Sequence, residues 1–420
     1  MSKVTDKSLI VGLDIGTSKI TALVGEVLPD NSINIVGVGN SPSQGMDKGG
    51  VNDLESVVSS VQNAIDEAEL MADCHITSVY LSLSGQHLEC QNEIGMVPIS
   101  EEEVTQYDVD SVIHTAKSVK ISDDHQILHV IPQEFAIDYQ HGIKKPIGLS
   151  GVRMQARVHL ITYHADMGRN IVKAVEKCGL KVDQLIFSGL AASYAVLTQD
   201  ERELGVCLVD IGGGTMDLTV WTGGCLRHSQ VIPYAGDRVT NDIAYAFGTP
   251  PSDAELIKVK YGCAMSELVS KDDTVDVPSV GGRPPRSLQR QTLAEVIEPR
   301  YSELLGLVDK QLAKVQEQLR QDGLKHHFAA GIVLTGGAAQ MDGLVECAER
   351  VFHNQVRIGQ PLAIKGLTDY VQGAKFATSV GLLHYGKESQ FEDEHTPELS
   401  KKTSVKSFFS VFSNWLKKEF

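Results

Sequence analysis

Two glycine-bearing turns carry the residues that could do chemistry. In Leu208-Val209-Asp210-Ile211-Gly212-Gly213-Gly214-Thr215-Met216-Asp217-Leu218-Thr219-Val220, two apolar runs flank three glycines. The pattern reads as a β-hairpin whose tip has no side-chain bulk. Bare glycines leave successive backbone N–H groups free to point at one object, a geometry suited to phosphate. Asp210 precedes them, placed to hold a Mg2+ through water, because that ion takes oxygen ligands and keeps much of its hydration shell. Alone, a glycine triplet is an ordinary turn. The pattern returns near the N-terminus, where Val11-Gly12-Leu13-Asp14-Ile15-Gly16-Thr17-Ser18-Lys19 runs into another apolar strand, Ile20 to Val24. Two such loops, about 200 residues apart, predict a duplicated architecture with one nucleotide clamped between its halves.

The rest of the chain must bring those loops together. Its 420 residues allow two to four compact domains of ordinary soluble composition. A formal charge of −16 argues against binding nucleic acid through general electrostatics. Seven scattered cysteines without a CxxC pair read as reduced, mostly buried thiols. No signal-peptide pattern opens the chain, and no apolar run reaches the ~18 residues that span a bilayer, so a cytoplasmic protein is expected.

In the first half, strands are predicted over 9–13, 20–27 and 33–39, an antiparallel meander. Asn52 or Asp53 caps a helix with Leu54, Val57, Val58, Val61, Ile65 and Ala68 on one face. A strand over 78–83 leads to a different kind of segment, 84–162, read as an α+β insert. There Ser100 and Glu103 form a capping box ahead of Val104, Val109, Val112, Ile113 and Ala116, with strands over 127–131 and 152–162. Its His125, His129, His141 and His159 match no zinc spacing, so no metal site is assigned. A helix over 166–178 and a strand over 182–187 follow. Ser188-Gly189-Leu190-Ala191-Ala192-Ser193-Tyr194 then offers the small residues of tight helix packing.

The second half adds three segments to its hairpin. Val231-Ile232-Pro233-Tyr234-Ala235-Gly236-Asp237 holds a turn, and Glu255 and Lys258 share one helix face within reach of a common sugar, or of each other as a surface ion pair. Ile332-Val333-Leu334-Thr335-Gly336-Gly337-Ala338-Ala339 runs a strand into a glycine pair and a helix bearing Leu344, Cys347, Ala348 and Val351. That arrangement lets backbone approach a flat ligand and aims a helix N-terminus at negative charge.

The paired loops resemble those of the actin/Hsp70/sugar-kinase superfamily. In that likeness Gly236 sits in the superfamily's Gly-Gly-Asp/Glu turn, Glu255 and Lys258 grip the ribose, and Gly336, Gly337 and Ala338 form the adenosine motif. The segments from Ser188 to Tyr194 and from Phe376 to Leu383 become the two helices that connect the halves. Four further segments, 49–55, 92–100, 130–135 and 281–286, lie outside the phosphate loops and are similar to the bacterial cell-division family FtsA, over 8–386 and again in the last dozen residues.

The resemblance implies an α/β fold of duplicated actin-like (ribonuclease H-like) halves around a nucleotide cleft. The first-half core would be 1–83, completed by 163–198 and 366–386, with 84–162 inserted. The second-half core would be 199–232, completed by 302–365, and 233–301 its upper subdomain. It also implies ATP with Mg2+, held by Asp14, Gly16, Thr17, Ser18, Lys19, Asp210, Gly212, Gly213, Gly214, Thr215 and the residues above, with the ion on Asp14 and Asp210 through water. Family partners would be a second copy in a homopolymer, the C-terminal peptide of FtsZ near Glu298, Arg300 and Tyr301, and later division proteins such as FtsN at the insert, all on the cytoplasmic side of the inner membrane at the septum.

One position departs from the superfamily. Where Hsp70 and MreB place a glutamate and actin a glutamine to orient water, this chain has Ser188, too short and too weak a base. Slow hydrolysis or none is expected. Downstream, 387–404 is polar, acidic and broken by Pro397, a flexible linker. In 405–420 Val405, Phe408, Phe409, Phe412, Trp415 and Leu416 recur at helical spacing. Lys417 and Lys418 help give residues 401–420 five lysines against one glutamate. That inverted charge and aromatic stripe predict a helix lying in an anionic membrane interface. One copy binds reversibly, and a polymer of copies binds avidly. Two other readings share the fold: a small-molecule kinase, which has no use for such a tail, and an MreB-like shape filament.

Overall fold

The first repeat folds as the predicted hairpin, β1 (Leu9–Ile15) against β2 (Lys19–Val27), paired from Leu9 with Glu26 to Ile15 with Ile20. It belongs to a computed structural model that describes residues 9–393. β3 (Ile33–Pro42) completes an antiparallel meander, and a small hairpin, β4 (Met46–Asp47) with β5 (Gly50–Val51), follows. The Asp53 carboxylate caps α1 (Leu54–Ala72) by accepting from the N–H groups of Glu55 and Ser56. The buried stripe of α1 lies directly on β3, where a β-carbon on Gly39 would overlap the Ala64 carbonyl. β6 (Ser78–Leu83) then joins β1 in parallel.

The chain next enters the insert, a four-stranded sheet in the order β7-β10-β8-β9 built from β7 (Leu88–Pro98), β8 (His125–Ile137), β9 (Gln140–Ile143) and β10 (Arg153–His164). One helix, α2 (Gln106–Lys117), packs on it, with its own core around Val112, Phe135 and Met154. The capping box is not Ser100 with Glu103. Thr105 caps the helix and Asp108 closes the box, because the buried Asp108 carboxylate gathers both Thr105 and Ser100 and starts the helix later.

Back in the core come α3 (Ala165–Lys177), β11 (Lys181–Phe187), α4 (Ser188–Val196) and α5 (Gln199–Leu204). The second repeat is β12 (Val206–Ile211) against β13 (Met216–Thr222), extended by β14 (Cys225–Ile232). Above it stand α6 (Gly236–Phe247), α7 (Pro251–Tyr261) and the hairpin of β15 (Thr274–Val277) with β16 (Arg286–Gln289). The long α8 (Arg290–Gln321) carries Pro299 inside it and buries residues from Leu293 to Leu319. A subdomain limit after residue 301 therefore falls within one continuous helix.

The last elements are β17 (Ile332–Thr335), α9 (Leu344–Phe352), β18 (Val356–Ile358), β19 (Ile364–Gly366), α10 (Thr368–Val371) and α11 (Ala377–Asp393). The duplication is visible in topology. The first sheet reads β11-β6-β1-β2-β3, with β19 added at its edge, and the second reads β18-β17-β12-β13-β14. In each, the hairpin continues as an antiparallel meander on one side and meets two parallel strands on the other.

Helix α11 also corrects the linker. Residues 387–393 continue it, and the buried Lys387 amine donates to the Asn31 carbonyl at 3.0 Å, which ties this part to the first half. The remaining linker and the aromatic stretch with Phe408, Phe409, Phe412, Trp415, Leu416, Lys417 and Lys418 lie outside the described residues. Among the described residues no helix is long and apolar enough to cross a membrane.

Candidate functional site

The two hairpin turns close in the same way. Gly16 N–H donates to the Lys19 carbonyl and Gly212 N–H to the Thr215 carbonyl, each at 3.0 Å. They then meet face to face. A β-carbon on Gly213 would overlap the Ser18 hydroxyl, and one on Gly214 would stand 2.6 Å from Thr17 Oγ1, so only glycine allows the loops to pass this closely. Gly236 and Asp237 donate their N–H groups to the carbonyls of Gly212 and Gly213, at 3.1 and 2.8 Å, which fixes the start of α6 on the second loop.

Between the halves lies a cleft of about 630 Å3, a size suited to a nucleotide. The structure brings every residue expected at the nucleotide to its walls: Asp14 and Gly16 to Lys19, Asp210, Gly212 to Thr215, Gly236, Glu255, Lys258, and Gly336 to Ala338. Asp14 accepts from Ser82 Oγ at 2.7 Å, and Asp210 accepts from Thr378 Oγ1 of α11 at 2.8 Å. Burial raises both carboxyls, Asp210 to about 6. Burial likewise lowers the Lys19 amine to about 8, and its Nζ finds no hydrogen-bond partner, resting 4.2 Å over the Phe376 ring. Buried carboxylates and an unpaired ammonium facing one cavity suit a metal-bound polyphosphate. Among the described residues no three carboxylate, histidine or cysteine side chains could hold a metal directly.

At the opposite end the Glu255 and Lys258 side chains pair at 2.6 Å. Lys258 is buried and its amine is already engaged, by Thr240 Oγ1 at 2.8 Å and the Gly236 carbonyl at 3.3 Å. Glu255 accepts from the same Thr240 hydroxyl, and it is the more exposed member of the pair. Gly336 takes φ +92°, and a β-carbon there would overlap Asp210 and the Ile211 carbonyl. The glycine pair does not aim a helix into the cleft as expected. A 3-10 turn, Ala338–Gln340, follows it, and α9 begins only at Leu344 behind a left-handed Gly343.

The site contains residues that motif reading missed. Asp217, on β13, is buried in the cleft and accepts from Ser84 Oγ at 2.5 Å. Burial and the neighbouring Asp210 hold its carboxyl well above the usual range. In the sequence it is marked only as the acidic residue of β13, and its partner Ser84 lies 133 positions away. Ser188 does line the cleft as the first residue of α4, nearly buried. Lys375 and Thr378 line it as well.

The docking residues separate. Tyr301 is fully buried in the second-half core, and its hydroxyl donates to the Ala338 carbonyl at 3.0 Å. It forms part of the cleft wall and cannot meet a docking peptide, because its side chain points into the core. Glu298 accepts from Ser266 N–H and Oγ at 2.8 and 2.7 Å, and Arg300 forks onto Asp242 at 2.5 and 3.0 Å. Both stay partly exposed.

Comparison with known proteins bears on the family and the fold. The family described as "Cell division protein FtsA" matches residues 207–381, and the "SHS2 domain inserted in FTSA" matches 85–162. The cell division protein FtsA of Escherichia coli K12 is 71% identical over 420 residues, all of both chains. That of Pseudomonas aeruginosa is 50% identical over 390 residues, 93% of this chain and 92% of its own. Among solved structures, the PilM–PilN type IV pilus biogenesis complex gives a TM-score of 0.63 at 16% identity, over 90% of this chain and 98% of that one. MreB5 of Spiroplasma citri bound to ADP gives 0.52 at 13% identity, over 92% and 99%. These two establish the fold alone.

Proposed function

The chain belongs to the FtsA family of cell division proteins, and we propose on that premise that it is a nucleotide-gated scaffold of the division site. In this reading it holds ATP with Mg2+ between its halves, polymerises on the cytoplasmic face of the inner membrane, and tethers the FtsZ ring there. The observation that carries the reading is the meeting of the two glycine turns around Asp14, Asp210 and Lys19.

The chain's own groups divide the work. Backbone N–H groups of the two turns cradle phosphate oxygens, and Lys19 neutralises them. Asp14 and Asp210, oriented by Ser82 and Thr378, receive the hydrated cation. Bound Mg2+ would supply charge neutralisation of the phosphates. Glu255 takes the ribose. A nucleotide as the occupant is supported by MreB5, the fold relative bound to ADP in one structure and AMPPNP in another. Ser188 offers no carboxylate or amide for an attacking water, so ATP is retained rather than turned over.

The 405–420 segment provides the lipid contact, reversible for one copy and avid for a polymer. The FtsZ peptide docks on the upper second half beside Glu298 and Arg300, and the insert receives later division proteins such as FtsN. The kinase and shape-filament readings lose ground to full-length identity with cell division proteins.

Two assays on the full chain test the proposal. Equilibrium dialysis with Mg2+·ATP should show saturable binding that Asp210→Asn weakens. Sedimentation with anionic vesicles should recover the protein, and deletion of 405–420 should release it. Absence of ATP binding, or vesicle binding that survives the deletion, would refute the corresponding part.

A further inference from the structure

The insert leaves the first half at Ser84, and Ser84 reaches across the cleft. Its hydroxyl donates to Asp217 at 2.5 Å and lies 3.3 Å from Thr215 Oγ1, both on the second-half phosphate hairpin. Thr215 closes that hairpin's turn through its carbonyl. Ser84 has no slack on its other side. A β-carbon on Gly49 would overlap the Ser84 carbonyl, and one on Gly214 would lie 3.2 Å from the Lys48 Cα, so the β4–β5 hairpin fills the space between the halves there.

Four residues later the chain becomes β7, whose first residues, with neighbouring β8 and β10, rest on the second half again. Asn92 Nδ2 donates to the Arg227 carbonyl at 3.1 Å, and Gln133 Nε2 to the Leu226 carbonyl at 2.7 Å. The His159 ring bridges Asn92 Oδ1 and Ser229 Oγ at 2.7 Å each, and Ser229 Oγ donates to Cys90 Sγ at 3.0 Å. All these second-half groups sit on β14, which pairs directly with β13 and therefore with Asp217. The insert also enters the first-half core through Leu88, Leu128 and Ile161. It thus straddles both halves: the same buried cluster includes Leu226 and Val231 of β14, and the polar bonds run along the seam beside it. The polar seam is the weaker hold, since Gln133 Oε1, Arg227 Nη1 and His228 Nε2 are buried there without a protein partner.

We infer that Ser84 is a positioning residue that couples the phosphate end of the cleft to the insert, so that nucleotide occupancy tightens or loosens the seam between β7 and β14. This rests on the cleft being a nucleotide site. When phosphates and cation occupy the cleft, Thr215 and Asp217 are held in one arrangement. Ser84 follows them, and with it the root of β7.

Hydrogen–deuterium exchange on the full chain, with and without saturating Mg2+·ATP, tests the coupling. The comparison is between cleft peptides (12–19, 208–215) and seam peptides (88–98, 225–232). In the unmodified protein ATP should slow exchange in both sets, the seam by about tenfold. In Ser84→Ala the seam response should collapse to less than about twofold while cleft peptides still respond, and Ser84→Thr, which keeps the hydroxyl, should restore it. A seam response that persists in Ser84→Ala overturns the inference. So does a cleft response without any seam response in the unmodified protein, a result that leaves the nucleotide site intact. No response in either set removes the nucleotide reading and this inference together.

Discussion

A β-carbon on Gly381 would overlap the carbonyl oxygen of Ala191, so the two helices that join the halves, α11 and α4, touch backbone to backbone. That contact lies among fully buried small residues. Gly381→Ala should force the helices apart and cost about 1–3 kcal/mol of stability. Thermal unfolding checks it. An unchanged Tm would mean the helices have room that this packing denies.

The raised carboxyl of Asp210 gives stability a sign. Its folded value of about 6 exceeds the ordinary 3.8, so the group favours folding below about 4 and that contribution is lost as pH rises through 6. The cost at neutral pH is on the order of 3 kcal/mol. Without nucleotide, Tm should therefore fall between about pH 4 and 6 and level off above that, and Asp210→Asn should reduce that slope. Mg2+ with ATP should flatten it too, because a cation stabilises the carboxylate form.

Tyr301 and Arg300 are neighbours in sequence with opposite surroundings, Tyr301 buried and Arg300 partly exposed. Tyr301→Phe removes the hydroxyl bond to Ala338 and should cost about 1 kcal/mol of stability while leaving FtsZ-peptide affinity unchanged. Arg300→Glu should act on peptide affinity, by about tenfold or more. Calorimetric titration of the peptide separates the two. Equal loss in both variants would contradict the placement of Tyr301 in the cleft wall.

These cases show what the sequence could and could not reveal. The paired hairpin turns were legible because glycine and aspartate recur in the same order on two apolar hairpins, a local pattern. The tight packing of α4 was legible in its small residues, whereas a connecting role for α4 and α11 came only from the superfamily resemblance. Asp217 and Ser84 were not legible, because their meaning lies in a hydrogen bond across 133 residues of chain. Tyr301 was misplaced because its face depends on α8 continuing through Pro299 into the core. The insert's capping box shifted because buried Asp108 outcompetes Glu103 for the helix start.

Ser188 should limit hydrolysis. Ser188→Glu would place a carboxylate at the mouth of α4 and should raise phosphate release by at least about tenfold. Asp217→Asn should leave the slow basal rate within about twofold, because a carboxyl held so far above its usual range is a poor base. A collapse of the rate in Asp217→Asn would transfer the catalytic role to that residue.

The most direct test of a gated scaffold measures phosphate release and nucleotide retention together, with the full chain assembled on anionic vesicles in saturating Mg2+·ATP. The account predicts ATP recovered intact on the sedimented protein, with phosphate release near the protein-free rate. Steady turnover, with ADP as the bound nucleotide, would contradict it and make the protein a cycling ATPase.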